Sequence, residues 1–350
     1  MIDSAEITVI IKGLIVGNSH DKYSDRYTHQ TIKSIRKYLP KSKIILSTWV
    51  GSDVLDLNPD EIIFNKDPGR LEMLSFDQKI ISHISINNQI ITSSKGLEKV
   101  ETKYSLIIRS DMILTGVGFL KYFLKYNKHS FVGYLDKKIV VLPTYSPTRL
   151  IKYKNFFNNF DWLVFDKNFY NVSDWVYFGL TKDLKNIFSI SLVDEDRLRG
   201  EKINGHYLVS ENLSPEQYIW VSFLQKYEYI DVSHINYFSE ERSNKSEESY
   251  AKNTIMISAN KFGVRSLKYP GSAYGARPWT SRGFYTMSEY NKIYNKYNKD
   301  KIFYIRNYLE EFIYYIQINL RFFVRSGNKK LYKNIVNVIR GFNGNKDLLK

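Results

Sequence analysis

Four short apolar runs, each closed by a glycine or a turn and interrupted twice by helix-length segments, constrain this chain more than any other feature. Ile7-Thr-Val-Ile-Ile11 is β-branched and stops before Gly13. Lys43-Ile-Ile-Leu-Ser-Thr-Trp49 closes at Gly51, and Glu61-Ile-Ile-Phe64 closes at Asp67-Pro-Gly69. Tyr104-Ser-Leu-Ile-Ile108 ends at Arg109-Ser-Asp111. Short runs of this kind read as buried strands. Between them, Thr28–Leu39 places Ile32, Ile35 and Leu39 on one helical face before Pro40, and Ser85–Val100 does the same with Ile86, Ile90, Ile91 and Leu97. The resulting β-α-β-β-α-β order predicts an α/β fold with a mainly parallel sheet flanked by helices.

Such a sheet binds ligands beyond the carboxyl ends of its strands. The loops after the four runs then share one edge, which carries Gly13, Asp53, Asp67 and Asp111. No G-x-G-x-x-G follows the first run, and no G-x-x-x-x-G-K-[ST] occurs. The dinucleotide-binding and P-loop NTPase classes lose their support. No G-x-S-x-G elbow is present for a serine hydrolase. The chain has no cysteine and 6 histidines, which excludes disulfides and thiolate metal sites and leaves little material for histidine clusters.

Carboxylates are the remaining chemistry. Asp111 ends an apolar strand, where it would either ligate Mg²⁺ or Mn²⁺ or pair with Arg109. Asp174 opens the run Ser173-Asp-Trp-Val-Tyr-Phe-Gly179. Ser214-Pro-Glu216 is a helix start, with Ser as N-cap, Pro at the first helical position and Glu216 in the first turn. There Glu216 is either a dipole partner or a base. His234 is a ligand, a base or an ordinary histidine.

An ordered set of motifs resembles the WavE family of lipopolysaccharide-synthesis proteins. It runs from Ile7–Gly13 through Ser34–Pro40, Ile44–Gly51, Asn65–Gly69 and Asn87–Ile90. It continues with Arg109-Ser-Asp111, Ser173-Asp-Trp175, Phe178-Gly179 and Pro215–Tyr218, so that it covers roughly residues 5–240. The resemblance implies a glycosyltransferase-like enzyme of surface-polysaccharide assembly with a GT-A-like fold. Its donor would be a nucleotide-diphosphate sugar and its acceptor a glycan or lipid-linked glycan. It also implies roles for particular residues. Glu216 is the first choice for the catalytic base and Asp174 the second. Gly13, Asp53 and Asp67 line the nucleotide end, with Asn88, Gln89 and Lys95 nearby and Arg109, Lys268 and Arg277 facing phosphate. Asp111 is the metal position. The D-x-D signature is incomplete, because Arg109 stands where the other carboxylate would be. A well-placed base makes inversion the simpler outcome.

The formal net charge is +15, and residues 291–350 carry a net +9, with 13 basic and 4 acidic side chains. Apolar positions from Ile305 to Phe323 recur at helical spacing. We therefore expect a fold-bearing unit over 1–285 and a basic amphipathic helical region over 286–350. That region either packs on the domain or contacts an anionic membrane. Ile302–Val324 includes Arg306, Glu310, Glu311 and Arg321, too many charges for a transmembrane span, and the N-terminus is a poor signal peptide. The expectation is a cytoplasmic protein, peripheral at most on the inner face of the membrane. A nucleic-acid binder, suggested by charge and aromatics, lacks any supporting motif. A non-catalytic scaffold of polysaccharide assembly remains the other alternative.

Overall fold

The computed structural model describes residues 2–17, 26–74, 80–128, 133–143, 151–154, 161–164, 169–193, 202–203, 206–207, 213–232, 239–268, 287–299 and 301. His234, Arg277 and the basic region beyond 301 lie outside them.

A seven-stranded sheet forms the centre. Its strands are β1 (Ile7–Lys12), β2 (Lys43–Trp49), β3 (Glu61–Asn65), β4 (Tyr104–Arg109), β5 (Ile139–Val141), β6 (Val176–Leu180) and β7 (Thr254–Met256). Their spatial order is β3-β2-β1-β4-β6-β5-β7. β1 pairs in parallel with both β2 and β4, β2 with β3, and β7 with β5. Only β6 is reversed, running antiparallel to β4 and to β5. This is the mainly parallel α/β sheet that the sequence predicts, with one reversed strand inserted.

The continuous apolar strands fit this position. All six residues of β1 are buried, as a parallel strand covered on both faces requires. The helices are α1 (Tyr27–Tyr38), α2 (Ile86–Glu98), α3 (Gly118–Tyr126), α4 (Thr181–Phe188), α5 (Pro215–Leu224), α6 (Glu240–Asn253), α7 (Ala259–Phe262) and α8 (Met287–Tyr297). α2 lies against β1 at Gly96, where an added Cβ would stand 2.4 Å from Ile10 Cγ2. Glycine is what allows the helix so close. α8 is packed into the same body. Tyr290 is buried and its hydroxyl donates to the Thr254 carbonyl. Lys138 is buried beside it and donates to the carbonyls of Ala251 (2.7 Å) and Lys252 (3.2 Å) and to Asn298 Oδ1 (3.0 Å). It thus satisfies carbonyls at the end of α6 that the helix cannot. Among the described residues no helix is long and apolar enough to cross a membrane.

Candidate active site

The strand order reverses direction at β1, which has β2 on one side and β4 on the other. Ligand crevices form at such a switch point, outside the carboxyl ends of the strands. The ends of β1 and β4 are Lys12 and Arg109, which are register partners. The Ser110 amide donates to the Lys12 carbonyl at 3.2 Å, and the Ser110 hydroxyl donates to the Leu14 carbonyl. Gly13, at φ 106°, turns the chain away from β1. It does so in a left-handed conformation that glycine adopts readily.

The reversed strand completes the edge. Because β6 is antiparallel, its start rather than its end meets the end of β4. The Arg109 amide donates to the Trp175 carbonyl at 3.3 Å. Asp174 thereby arrives beside Arg109. The segment leading to it, Phe169–Trp175, is buried without being a strand or helix. Buried irregular backbone needs outside partners. The Tyr170 amide donates to Ser246 Oγ (2.8 Å), and the Asn171 amide donates to the Tyr250 hydroxyl (2.6 Å). The Gln217 side chain donates to the Phe169 carbonyl (2.9 Å). Tyr170 sits at φ 55°, an unusual conformation for a bulky residue. The segment is thus held in place by α5 and α6.

α5 begins as the sequence predicts. Ser214 accepts from the Gln217 amide at 3.2 Å, and the Gln217 side chain accepts from the Ser214 amide at 3.2 Å, a capping box with Pro215 inside it. Glu216, in the first turn, is partly buried. Its carboxyl is pushed up to about 7, first by burial and then by the nearby Asp174 charge; its own amide, Ser214 and Arg109 oppose the shift.

Lys12, the last residue of β1, lies within this cluster. It is 2% exposed, and its Nζ has no hydrogen-bond partner. The rings of Tyr177 and Phe188 lie 5.8 and 5.9 Å from it. Burial lowers its ammonium to about 8, against the opposing attraction of Asp174 and Glu216. Asp174 is 4% exposed, and its Oδ1 also lacks a partner.

Asp111 is engaged by Arg109. Nε donates to Oδ1 at 3.0 Å and Nη2 to Oδ2 at 2.7 Å, a bidentate pair. The guanidinium lies 4.8 Å from the Trp175 ring centroid. Of the two readings open from sequence, pairing with Arg109 is the arrangement present. Among the described residues no three His, Asp or Glu side chains gather as a cation site. Both Asp111 oxygens accept from Arg109 in this arrangement, so a divalent ion there would have to share the carboxylate with the guanidinium.

The other expected residues divide. Asn88, in the first turn of α2, donates to Asp67 Oδ1 at 2.8 Å, so these two meet at the edge beyond β3. Gln89 follows on the same turn and is partly buried. Asp53 is exposed beyond β2, and its Oδ1 accepts from the Leu55 amide at 3.0 Å. Lys268 comes close to the centre through the backbone. Val264–Ser266 pairs with Met112–Leu114, and the Leu267 amide donates to the Asp111 carbonyl at 2.8 Å. Lys95 is not brought to the edge. It lies in the last turn of α2, exposed and paired with Glu98 at 2.9 Å.

The fold and site define an α/β protein with a mainly parallel sheet and a group of carboxylates at its switch point. The chain belongs to the WavE lipopolysaccharide synthesis family, whose sequence model matches residues 7–333. Among solved structures, it is similar to the crystal structure of 4-diphosphocytidyl-2C-methyl-D-erythritol synthase from Anaerococcus prevotii, at 11% identity and a TM-score of 0.32. That likeness covers 64% of this chain and 100% of the other. No curated protein matches the chain.

Proposed function

We propose that this protein is a glycosyltransferase of lipopolysaccharide assembly that moves a sugar from a nucleotide-diphosphate sugar to a glycan or lipid-linked glycan. The observation that carries the reading is the pair of neighbouring carboxylates, buried Asp174 and partly buried Glu216, with Lys12 and Arg109, at the switch point of the sheet. Family membership supports the same direction.

The nucleotide lies along the ends of β1–β3, beside Gly13, Asp53 and the Asp67–Asn88 pair. Gln89 is adjacent. The donor sugar reaches the crevice between Arg109 and Glu216. Glu216 is the base. It takes the proton of the acceptor hydroxyl as that oxygen forms its bond to the anomeric carbon. The bond from that carbon to the diphosphate oxygen breaks, and the nucleoside diphosphate leaves with the electron pair. A single displacement of this kind inverts the anomeric centre. The leaving group needs positive charge. Lys268 is placed to contribute it, and Arg277 is a second candidate by resemblance.

A carboxylate with an ordinary pKa is a weak base for an alcohol. Raising it towards neutrality by burial strengthens it while leaving it ionised at working pH. The proposal is tested by heating the full-length protein with a panel of uridine, guanosine, adenosine and thymidine diphosphate hexoses. Saturation at about a hundred times Kd adds roughly 2.7 kcal/mol, or about 3–4 °C in Tm for a chain of this size. Glu216→Gln should keep the shift with its cognate donor and lower sugar transfer by at least roughly 10²-fold, in line with the weight of general-base catalysis. The absence of any shift across the panel overturns the reading.

A further inference from the structure

Two buried polar atoms in one crevice, Lys12 Nζ and Asp174 Oδ1, have no hydrogen-bond partner. Their residues are 2% and 4% exposed. Each alone is costly. A buried ammonium or carboxylate is retained when something satisfies it. They attract one another electrostatically, yet they form no ion pair. The ammonium and Oδ1 therefore stand beyond hydrogen-bonding reach of one another.

The chemistry of the two groups limits what could bridge them. The occupant must accept a hydrogen bond from the ammonium and donate one to the carboxylate oxygen. A phosphate can do only the first. The local charge also opposes it, since Lys12 and Arg109 face Asp111, Asp174 and Glu216, two cations against three carboxylate groups. Arg109 is already committed to Asp111. A hydroxyl does both and carries no charge. Arg109 and Glu216, at the same crevice, remain partly exposed and leave a way in.

We propose that Lys12 and Asp174 form a buried subsite for a hydroxyl of a neutral sugar, the ammonium donating to the hydroxyl oxygen and the hydroxyl donating to Asp174 Oδ1. The inference rests on the glycosyltransferase reading and deepens it. It places the sugar ring, rather than the diphosphate, over the end of β1. It also makes Lys12 a specificity residue that holds substrate without taking part in bond breaking.

The test compares nucleotide-diphosphate hexoses with the matching nucleoside diphosphates by calorimetry, on the full-length protein. In the wild type the hexose should add affinity. Lys12→Met keeps the aliphatic stem and removes the ammonium. It should lose about 10–100-fold of affinity for the nucleotide-sugar, the range for a hydrogen bond to a charged group, and leave nucleoside diphosphate binding unchanged. A second arm titrates neutral mono- and oligosaccharides in saturating nucleoside diphosphate. A Lys12-dependent signal confined to that arm assigns the hydroxyl to the acceptor.

A third arm needs no variant at Lys12. Hexose donors lacking one ring hydroxyl at a time are bound to wild type and to Asp174→Asn. One deoxy donor should bind about 10–100-fold more weakly to the wild type, with most of that difference gone in Asp174→Asn. Equal loss of nucleoside diphosphate and nucleotide-sugar in Lys12→Met would make the residue a phosphate contact and overturn the proposal. Deoxy donors that all bind like the parent, with no Lys12-dependent signal from the saccharides either, overturn it too. If no nucleotide of either kind binds the wild type, the functional reading itself fails.

Discussion

Glu216 and Lys12 are charged groups held where charge is disfavoured, and that sets a pH dependence. Burial, then Asp174, raises Glu216 to about 7; burial lowers Lys12 to about 8. A base must be ionised and a hydroxyl-binding ammonium protonated. Transfer activity should therefore rise through about pH 7 and fall through about pH 8, a narrow bell. Stability should show the opposite profile. Glu216 titrates higher in the fold than its ordinary 4.5, so its contribution is lost as pH rises from about 4.5 through 7. Lys12 titrates lower in the fold than its ordinary 10.5, so its contribution is present above that value and lost as pH falls to about 8. The two together place a stability minimum where both groups are charged, which is where activity peaks. Urea midpoints across pH check this. The acid-side slope should vanish in Glu216→Gln and the alkaline-side slope in Lys12→Met; unchanged slopes would remove both groups from the charged cluster.

At the scale of elements, α5 links cap chemistry to the proposed base, Glu216. The Ser214 hydroxyl caps the helix, and it also lowers the Glu216 pKa against burial. Ser214→Ala should cost about 1 kcal/mol of stability by denaturant titration, the usual loss for a helix cap. It should also move the rising limb of the pH–rate profile further alkaline, which a purely structural cap would not do. The start of α5 was legible because Ser-Pro-Glu is written locally. β1 to β4 were legible for the same reason, as apolar runs with explicit stops. β5 was not. Ile139–Val141 has three residues and runs into Pro143, too short and too close to a proline to read as a strand. α6 was missed as well, because Glu240–Asn253 is strongly polar and shows no apolar stripe. Its role is to supply Ser246 and Tyr250 to the Phe169–Trp175 segment. The same logic explains the site. Asp174, Glu216, Arg109 and Asp111 stand out next to turns and caps. Lys12 reads as a lone charge, since only the reversal of β6 and the docking of α5 put carboxylates near it. Lys95 failed in the other direction. It sits in the last turn of α2, away from Asn88 in the first turn, which meets Asp67.

At the scale of the molecule, the sequence divides its charge unevenly. The total is +15, and residues 291–350 hold +9 of it, mostly beyond the described core. A transferase acting on a lipid-linked acceptor gains from being held at the surface where that acceptor lies, because confinement raises the effective concentration. A basic region does this without a spanning helix. Each lysine or arginine near an anionic leaflet contributes about 1 kcal/mol, and salt screens the attraction within a Debye length. The full-length protein should therefore sediment with phosphatidylglycerol vesicles at low salt and be released at about 1 M salt, where that length is about 3 Å. Neutral phosphatidylcholine vesicles should hold much less. Reversing Lys329, Lys330 and Lys333 to glutamate removes three such attractions and adds three repulsions. The partition coefficient should fall by at least about 100-fold, while the thermal shift with a nucleotide-sugar is unaffected. If the triple variant binds anionic vesicles as wild type does, the basic excess has another partner and the surface-bound acceptor loses its support. If the nucleotide-induced shift disappears as well, the region belongs to the donor site and not to a membrane contact.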